Sequence, residues 1–269
     1  MIEKLQRLIL NSPNLRPITM KLIRKFQIGS YQKRVVLGAV ERPHYGYCVY
    51  NAAVLAKRLG YERISVLEFG VAWGHGLMNL EYHAQEVSRL IGIEIEIYGF
   101  DTGAGLPKPK DYRDLPYHWQ EGFFRMDVPK LQAQLKKAKL VLGEVEHKSK
   151  DFFDKYNPAP IGAIAYDLDF YSSTIAALKM LEADEKYYLP RVFCYFDDTI
   201  GTESELYNDY TGERLAINEF NQSHNNIKLG FPYHLLAKRF PEMWHHQIWV
   251  CHFFGHSRYN DLIGAERPS

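Results

Sequence analysis

Three acid-bearing segments in this 269-residue chain have the residue types and spacing to do chemistry. The first is Glu68-Phe69-Gly70-Val71-Ala72-Trp73-Gly74-His75-Gly76, an acid at the end of an apolar run followed by a glycine-rich turn. Glycines let a backbone approach a ligand closely, and free N–H groups at a helix start receive an anionic group such as a carboxylate. The spacing is G-x-x-x-G-x-G and not the G-x-G-x-x-G of dinucleotide sites. Glu68, two residues before Gly70, would repel a pyrophosphate and attract a sulfonium or an ammonium. The second segment is Gly99-Phe100-Asp101, about thirty residues on, where an acid ending the second strand of such a sheet accepts ribose hydroxyls.

The third segment is a pair of acidic strand ends, Asp167-Leu168-Asp169 and Asp197-Asp198. Carboxylates gathered at one sheet edge repel each other unless a cation or protons intervene. Oxygen-only ligands select a hard ion, and Mg²⁺ is the expected one, held by Asp167, Asp197 and Asp198. Asp169 is a candidate general base. His118 is the second, because the long Thr102 to Glu121 connection, with Tyr112, Tyr117, His118 and Trp119, reads as an acceptor-side lid. Thr102 adjoins the ribose acid, and Gly143 opens a loop after the third strand expected over the adenine; Ser149 there reads as a helix cap. Residues expected to bind the cofactor of such a site are thus Glu68, Gly70, Gly74, His75, Gly76, Asp101, Thr102, Gly143 and Asp167.

The elements that must position these groups alternate. Strands are expected at Ile64 to Phe69, Ile93 to Phe100, Leu140 to Val145, Ile161 to Asp167, Val192 to Phe196, Tyr233 to Ala237 and Ile248 to Phe254. Helical periodicity falls at Leu77 to Leu90, Pro129 to Ala138, Lys150 to Tyr156, Ser172 to Asp184 and Gly212 to Gln222. A helical lead-in ends at Leu59 with Gly60 as its cap. Alternation of this kind gives a mostly parallel α/β sheet. Five βα units and then two strands without a helix between them is the element order of class I methyltransferases, a Rossmann-like fold with seven strands and an antiparallel last one. Expected organisation is an N-terminal helical lid or extension, residues 1–60, and a methyltransferase domain, residues 61–269.

Four segments together resemble the metal-dependent O-methyltransferases of the macrocin and mycinamicin type, which methylate sugar hydroxyls: Glu68 to Gly76, Phe100 to Pro107, Asp167 to Thr174, and Asp197-Asp198. The resemblance implies S-adenosyl-L-methionine bound by the Glu68 loop and Asp101, Mg²⁺ on Asp167, Asp197 and Asp198, and a saccharide or other small-molecule acceptor. The chain departs from the family in having Phe69 in the Glu-Thr-Gly opening, His75 before the last glycine, and Leu189-Pro190-Arg191 in place of a Gly-Gly turn. Two other readings compete: a nicotinamide-dependent oxidoreductase, disfavoured by Glu68, and a metal-dependent hydrolase using the aspartates, which leaves the glycine loop idle.

Composition bounds the rest. The 33 Lys+Arg and 32 Asp+Glu balance, so no global basic field calls for nucleic acid. Cys48, Cys194 and Cys251 are scattered, as in a reducing cytoplasm, and no stretch has the length of a membrane span, so integral membrane association is not expected. A homo-oligomer is compatible with the 14% aromatic content. His245, His246, His252 and His256 lack metal spacing and read as structural. One asymmetry stands out: Lys4, Arg7, Arg16, Lys21, Arg24, Lys25, Lys33 and Arg34 face one acid, Glu3. Such a stretch suits a lid, a dimer arm or a membrane surface; Pro13 and Pro17 are expected to divide it into short pieces.

Overall fold

The computed structural model describes residues 12–264. Lys4, Arg7 and Glu3 of the basic stretch lie outside the described residues. Three helices lead in: α1 (Arg16–Phe26), α2 (Tyr31–Leu37) and α3 (Pro43–Arg58). Pro17 does not divide α1, contrary to expectation. It stands in the first turn, where a helix has no use for its N–H. Pro43 starts α3 in the same way, and Gly60 follows its end, donating to Lys57 O.

The sheet comprises β1 (Arg63–Phe69), β2 (Glu94–Asp101), β3 (Lys139–Leu142), β4 (Ile161–Tyr166), β5 (Tyr188–Phe196), β6 (Ile227–Gly230) and β7 (Ile248–Phe253), in the order β3-β2-β1-β4-β5-β7-β6. The first five run parallel, and β7 is inserted antiparallel between β5 and β6. The expected mostly parallel, seven-stranded Rossmann-like sheet is thus the observed one. Helices α4 (His75–Ile91), α5 (Val128–Gln134), α6 (Val145–Tyr156), α7 (Tyr171–Leu178) and α8 (Gly212–Ser223) complete it.

Because side chains alternate along a strand, β1 feeds two cores. Ile64 and Val66 pack with Val49, Ala52 and Ala53 of α3 and Leu77 and Leu80 of α4. Leu67 and Phe69 pack on the other face with Phe152 of α6, Leu178 of α7 and Phe220 of α8. Buried on both faces, β1 reads as the nearly unbroken apolar run that a central parallel strand requires. Glu68 follows the Ile64 and Val66 parity and therefore points to the α3 side.

Several boundaries differ from the sequence reading. The sixth strand is Ile227–Gly230, and Tyr233–Leu235 is a 3-10 turn. Pro232 has no N–H for a ladder, so the apolar run after it cannot continue pairing. The Asn221 side chain meets the N–H and C=O of Leu229 at 2.8 and 2.9 Å, completing the outer edge of β6. Helix α5 stops at Gln134 because Glu81 Oε1 accepts the N–H groups of Lys136, Lys137 and Ala138. The third strand ends at Leu142, α6 begins at Val145, and Ser149 is therefore buried inside that helix and not its cap. Helix α7 ends at Leu178 and passes into a 3-10 turn, Lys179–Glu182.

Candidate functional site

Four neighbouring strands end on aromatic rings in register. Phe100, Phe69, Tyr166 and Phe196, on β2, β1, β4 and β5, stack in sequence with centroids 4.6, 5.4 and 4.4 Å apart. Each is followed by a residue that turns up into one cavity: Asp101, Gly70, Asp167 and Asp197. The cavity, about 300 Å³, lies beyond the carboxyl ends of the parallel strands, where doubly wound sheets bind ligands.

Glu68, Gly70, His75, Gly76, Asp101, Thr102, Gly143, Asp167, Asp169, Asp197 and Asp198 all line it. Two expected residues do not. Gly74 precedes α4 and abuts Leu131 of α5, where a Cβ would come within 2.1 Å of Leu131 Cδ1. His118 faces Glu205 at 4.0 Å from behind the wall, and its neighbour Trp119 supplies the lining ring.

The glycine turn has no room for a side chain at Gly70 or Gly76. Gly70 has φ +84°, and a Cβ there would lie 1.7 Å from Asp167 O; at Gly76 it would lie 1.9 Å from Glu68 Oε1. Asp101 organises this turn directly. Its Oδ2 accepts the Val71 and Ala72 N–H groups at 2.9 Å each, and its Oδ1 accepts the Gly103 N–H at 2.6 Å. It thus fixes the loop while lining the cavity.

Glu68 is buried, with Oε1 accepting the Tyr45 hydroxyl of α3 at 2.6 Å and Oε2 lacking any partner among the described residues. Burial raises its pKa to about 8, against the lowering effects of the Tyr45 hydrogen bond and Arg42. An unsatisfied buried carboxylate oxygen is costly, and a cationic ligand group in the cavity would satisfy it. The orphan oxygen and the glycines at which the backbone approaches the cavity closely fit the amino-acid end of an S-adenosyl group.

The aspartates form a connected acidic wall. Asp198 is buried: Oδ1 accepts the Tyr207 hydroxyl at 2.7 Å, Oδ2 accepts the Asp169 N–H at 2.8 Å, and its own N–H donates to Glu213 Oε2 at 2.9 Å. Burial, with Asp197 adding to it, pushes its pKa to about 7. Asp169, held at φ +58°, is also raised by burial and by Asp198. Half-buried Asp167 and Asp197 are raised as well, by desolvation first; for Asp167 the Asp197 charge comes next, and for Asp197 a hydrogen bond from Tyr195 opposes the rise. Oxygen chemistry of this kind suits a hard cation. Among the described residues, however, no group of three or more His, Cys, Asp or Glu side chains is arranged to hold a metal ion.

Sequence reasoning missed the groups that neighbour these acids. Arg42 lines the cavity and lies 5.5 Å over the Tyr45 ring; Tyr45, Tyr195 and Tyr207 each donate to one of the acids, and Glu205 and Trp119 complete the wall. The signal for Arg42 was Pro43, which marks a helix start and so places the preceding residue at its cap. Of the C-terminal histidines, His252 meets the Tyr259 hydroxyl at 2.8 Å and His256 the Tyr188 carbonyl at 3.2 Å. All three cysteines are buried free thiols. No described helix is long and apolar enough to cross a membrane.

No family model matches the chain, and no curated protein matches it. Solved structures do. The O-methyltransferase NovP aligns with a TM-score of 0.50 at 11% identity, over 77% of this chain and 78% of that one. The calicheamicin methyltransferase CalS11 aligns at 0.48 with 18% identity, over 93% and 90%. The plantazolicin methyltransferase BamL, solved with S-adenosylhomocysteine, aligns at 0.41 with 12% identity, over 91% of each chain. The fold is that of the class I methyltransferases.

Proposed function

We propose that this protein is an S-adenosyl-L-methionine-dependent O-methyltransferase acting on a hydroxyl of a sugar or natural-product acceptor. The observation that carries the reading is the unpartnered, buried Glu68 Oε2 at the head of a glycine turn that has no room for a Cβ at Gly70 or Gly76. The fold shared with NovP, an O-methyltransferase by name, agrees with it. A nicotinamide cofactor would set its pyrophosphate against Glu68 and bring that acid no cationic partner.

S-adenosyl-L-methionine, when bound, supplies a methyl group on a cationic sulfur. Glu68 would accept the donor's ammonium, and the turn fixed by Asp101 would face the rest of the molecule, with His75, Thr102 and Gly143 at the surrounding wall. Arg42 offers a guanidinium to the donor carboxylate and offsets part of the acidic charge. At the opposite wall Asp169, buried and lining the cavity, is the proton acceptor for the incoming hydroxyl. Asp167, with Asp197 and Asp198 once turned from the hydrogen bonds they now accept, would hold Mg²⁺, which would supply Lewis acidity toward the acceptor oxygen. His118, outside the cavity, is left to the Glu205 loop.

The test is calorimetric titration with S-adenosylhomocysteine, with Glu68→Ala and Asp101→Ala as controls, followed by methyl transfer to a panel of glycosides. Micromolar binding lost in both variants supports the donor site. A folded wild-type protein that does not bind overturns the reading. Asp169→Asn is expected to retain donor affinity while turnover falls by roughly 10²- to 10⁴-fold.

A further inference from the structure

Helix α1 exposes its apolar residues. Ile18, Leu22 and Phe26, four residues apart, form one stripe, and their exposures lie between 46% and 62%; Leu15 and Ile28 extend it at either end. The opposite side holds the helix to the body. Met20 is buried, Arg16 lies 3.5 Å from Glu242 and 5.0 Å over the Phe240 ring, and Arg24 donates to Gly38 O at 3.2 Å. The outward stripe is therefore fixed in place and not a fraying end turned over.

Charge follows the same division. Residues 12–40 contain Arg16, Lys21, Arg24, Lys25, Lys33 and Arg34 and no acid. Lys21 and Lys25 repeat at the same four-residue interval and flank the apolar stripe on its solvent side. Neither forms an ion pair among the described residues, and Lys25 Nζ lies 5.6 Å over the Phe26 ring. Lysines beside an exposed apolar stripe are the pattern of a helix lying in a bilayer interface, with apolar side chains in the acyl boundary and ammonium groups among the headgroups.

We propose that α1 docks this protein reversibly on an anionic lipid surface. The other occupants fit less well. Among the described residues no part of α1 lines the cavity, so no contact on this helix supports a lid. A second copy related by two-fold symmetry would set Lys21 and Lys25 of one protomer close to those of its partner. A membrane with negative headgroups accepts both features at once.

The experiment is co-flotation of the full chain with vesicles of phosphatidylcholine alone and of phosphatidylcholine with 30% phosphatidylglycerol, at low and at 0.5 M salt, with about one-third anionic lipid chosen to give a strong surface field. Two double variants accompany the wild type: Lys21→Glu with Lys25→Glu, and Leu22→Ser with Phe26→Ser. Circular-dichroism melting checks that both remain folded. We expect binding to the anionic vesicles only, weakened by salt. Partitioning should fall roughly thirtyfold or more in the lysine variant and at least about tenfold in the apolar one. Wild-type protein that stays off both vesicles overturns the proposal. So does equal binding by wild type and both variants, and so does a concentration-dependent dimer dissociated by these substitutions without vesicle binding.

Discussion

Binding of the donor should be coupled to loss of a proton from Glu68. In the free protein burial holds the Glu68 pKa at about 8, so at pH 7 about 0.9 of the molecules carry this proton. An ammonium group against Oε2 stabilises the anion and drives the proton off. Titration of S-adenosylhomocysteine in buffers of different ionisation enthalpy should therefore report release of about 0.9 proton at pH 7 and about 0.1 at pH 9. Affinity should rise about tenfold per pH unit below pH 7.5 and level off above 8. Glu68→Gln keeps the shape and removes the charge: affinity should fall roughly 10- to 100-fold, and both the pH slope and this proton release should disappear. Because Asp198, raised to about 7, also lines the cavity, the variant separates its titration from that of Glu68. A wild-type affinity flat from pH 6 to 9 without proton release would refute the argument. The sign for stability is opposite: with its pKa raised from 4.5, Glu68 favours the unliganded fold most fully below pH 4.5, and that contribution is lost as pH rises through 8.

Other expectations follow from single contacts. Gly70→Ala forces a Cβ against the Asp167 carbonyl at positive φ, and urea denaturation should show a loss of at least about 2 kcal/mol. Asp101→Ala leaves two N–H groups of the glycine turn and that of Gly103 without their acceptor; we expect about 1–3 kcal/mol lower stability and at least tenfold weaker S-adenosylhomocysteine binding, with Asp101→Asn between it and wild type. Turnover should stop in chelator and return with added Mg²⁺, and Asp197→Asn should raise the Mg²⁺ concentration required; full turnover in chelator would remove Mg²⁺ from the mechanism.

The strand-end acids were legible because a buried parallel strand is an apolar run, and the first acid after it must lie at the sheet's edge. Asp101, Asp167 and Asp197 were found in this way, and each lines the cavity. The sixth strand was misplaced because Phe231 to Ala237 is the more apolar run, whereas Ile227–Gly230 pairs through β7 and is completed by Asn221, a long-range arrangement without a local pattern. Tyr45, Tyr195 and Tyr207 were invisible for a different reason. Each is an ordinary aromatic residue in sequence, and only packing reveals that its hydroxyl meets an acid of the cavity. His118 failed to reach the cavity because aromatic neighbours in a loop do not determine which ring faces inward.

The stacked floor of Phe100, Phe69, Tyr166 and Phe196 ties folding fidelity to chemistry. A strand shifted by one residue exchanges its two faces. In this sheet such a slip would pull one ring out of the stack and, in the same movement, carry the acid or glycine beyond it away from its neighbours. Misfolded molecules would thus lose stability and the binding surface together, leaving little room for a population that is well packed yet inactive. A shared floor of this kind also separates inheritance of the scaffold from change above it: loops after the strands can lengthen or exchange side chains for a new acceptor while the four rings keep the acidic positions in rank.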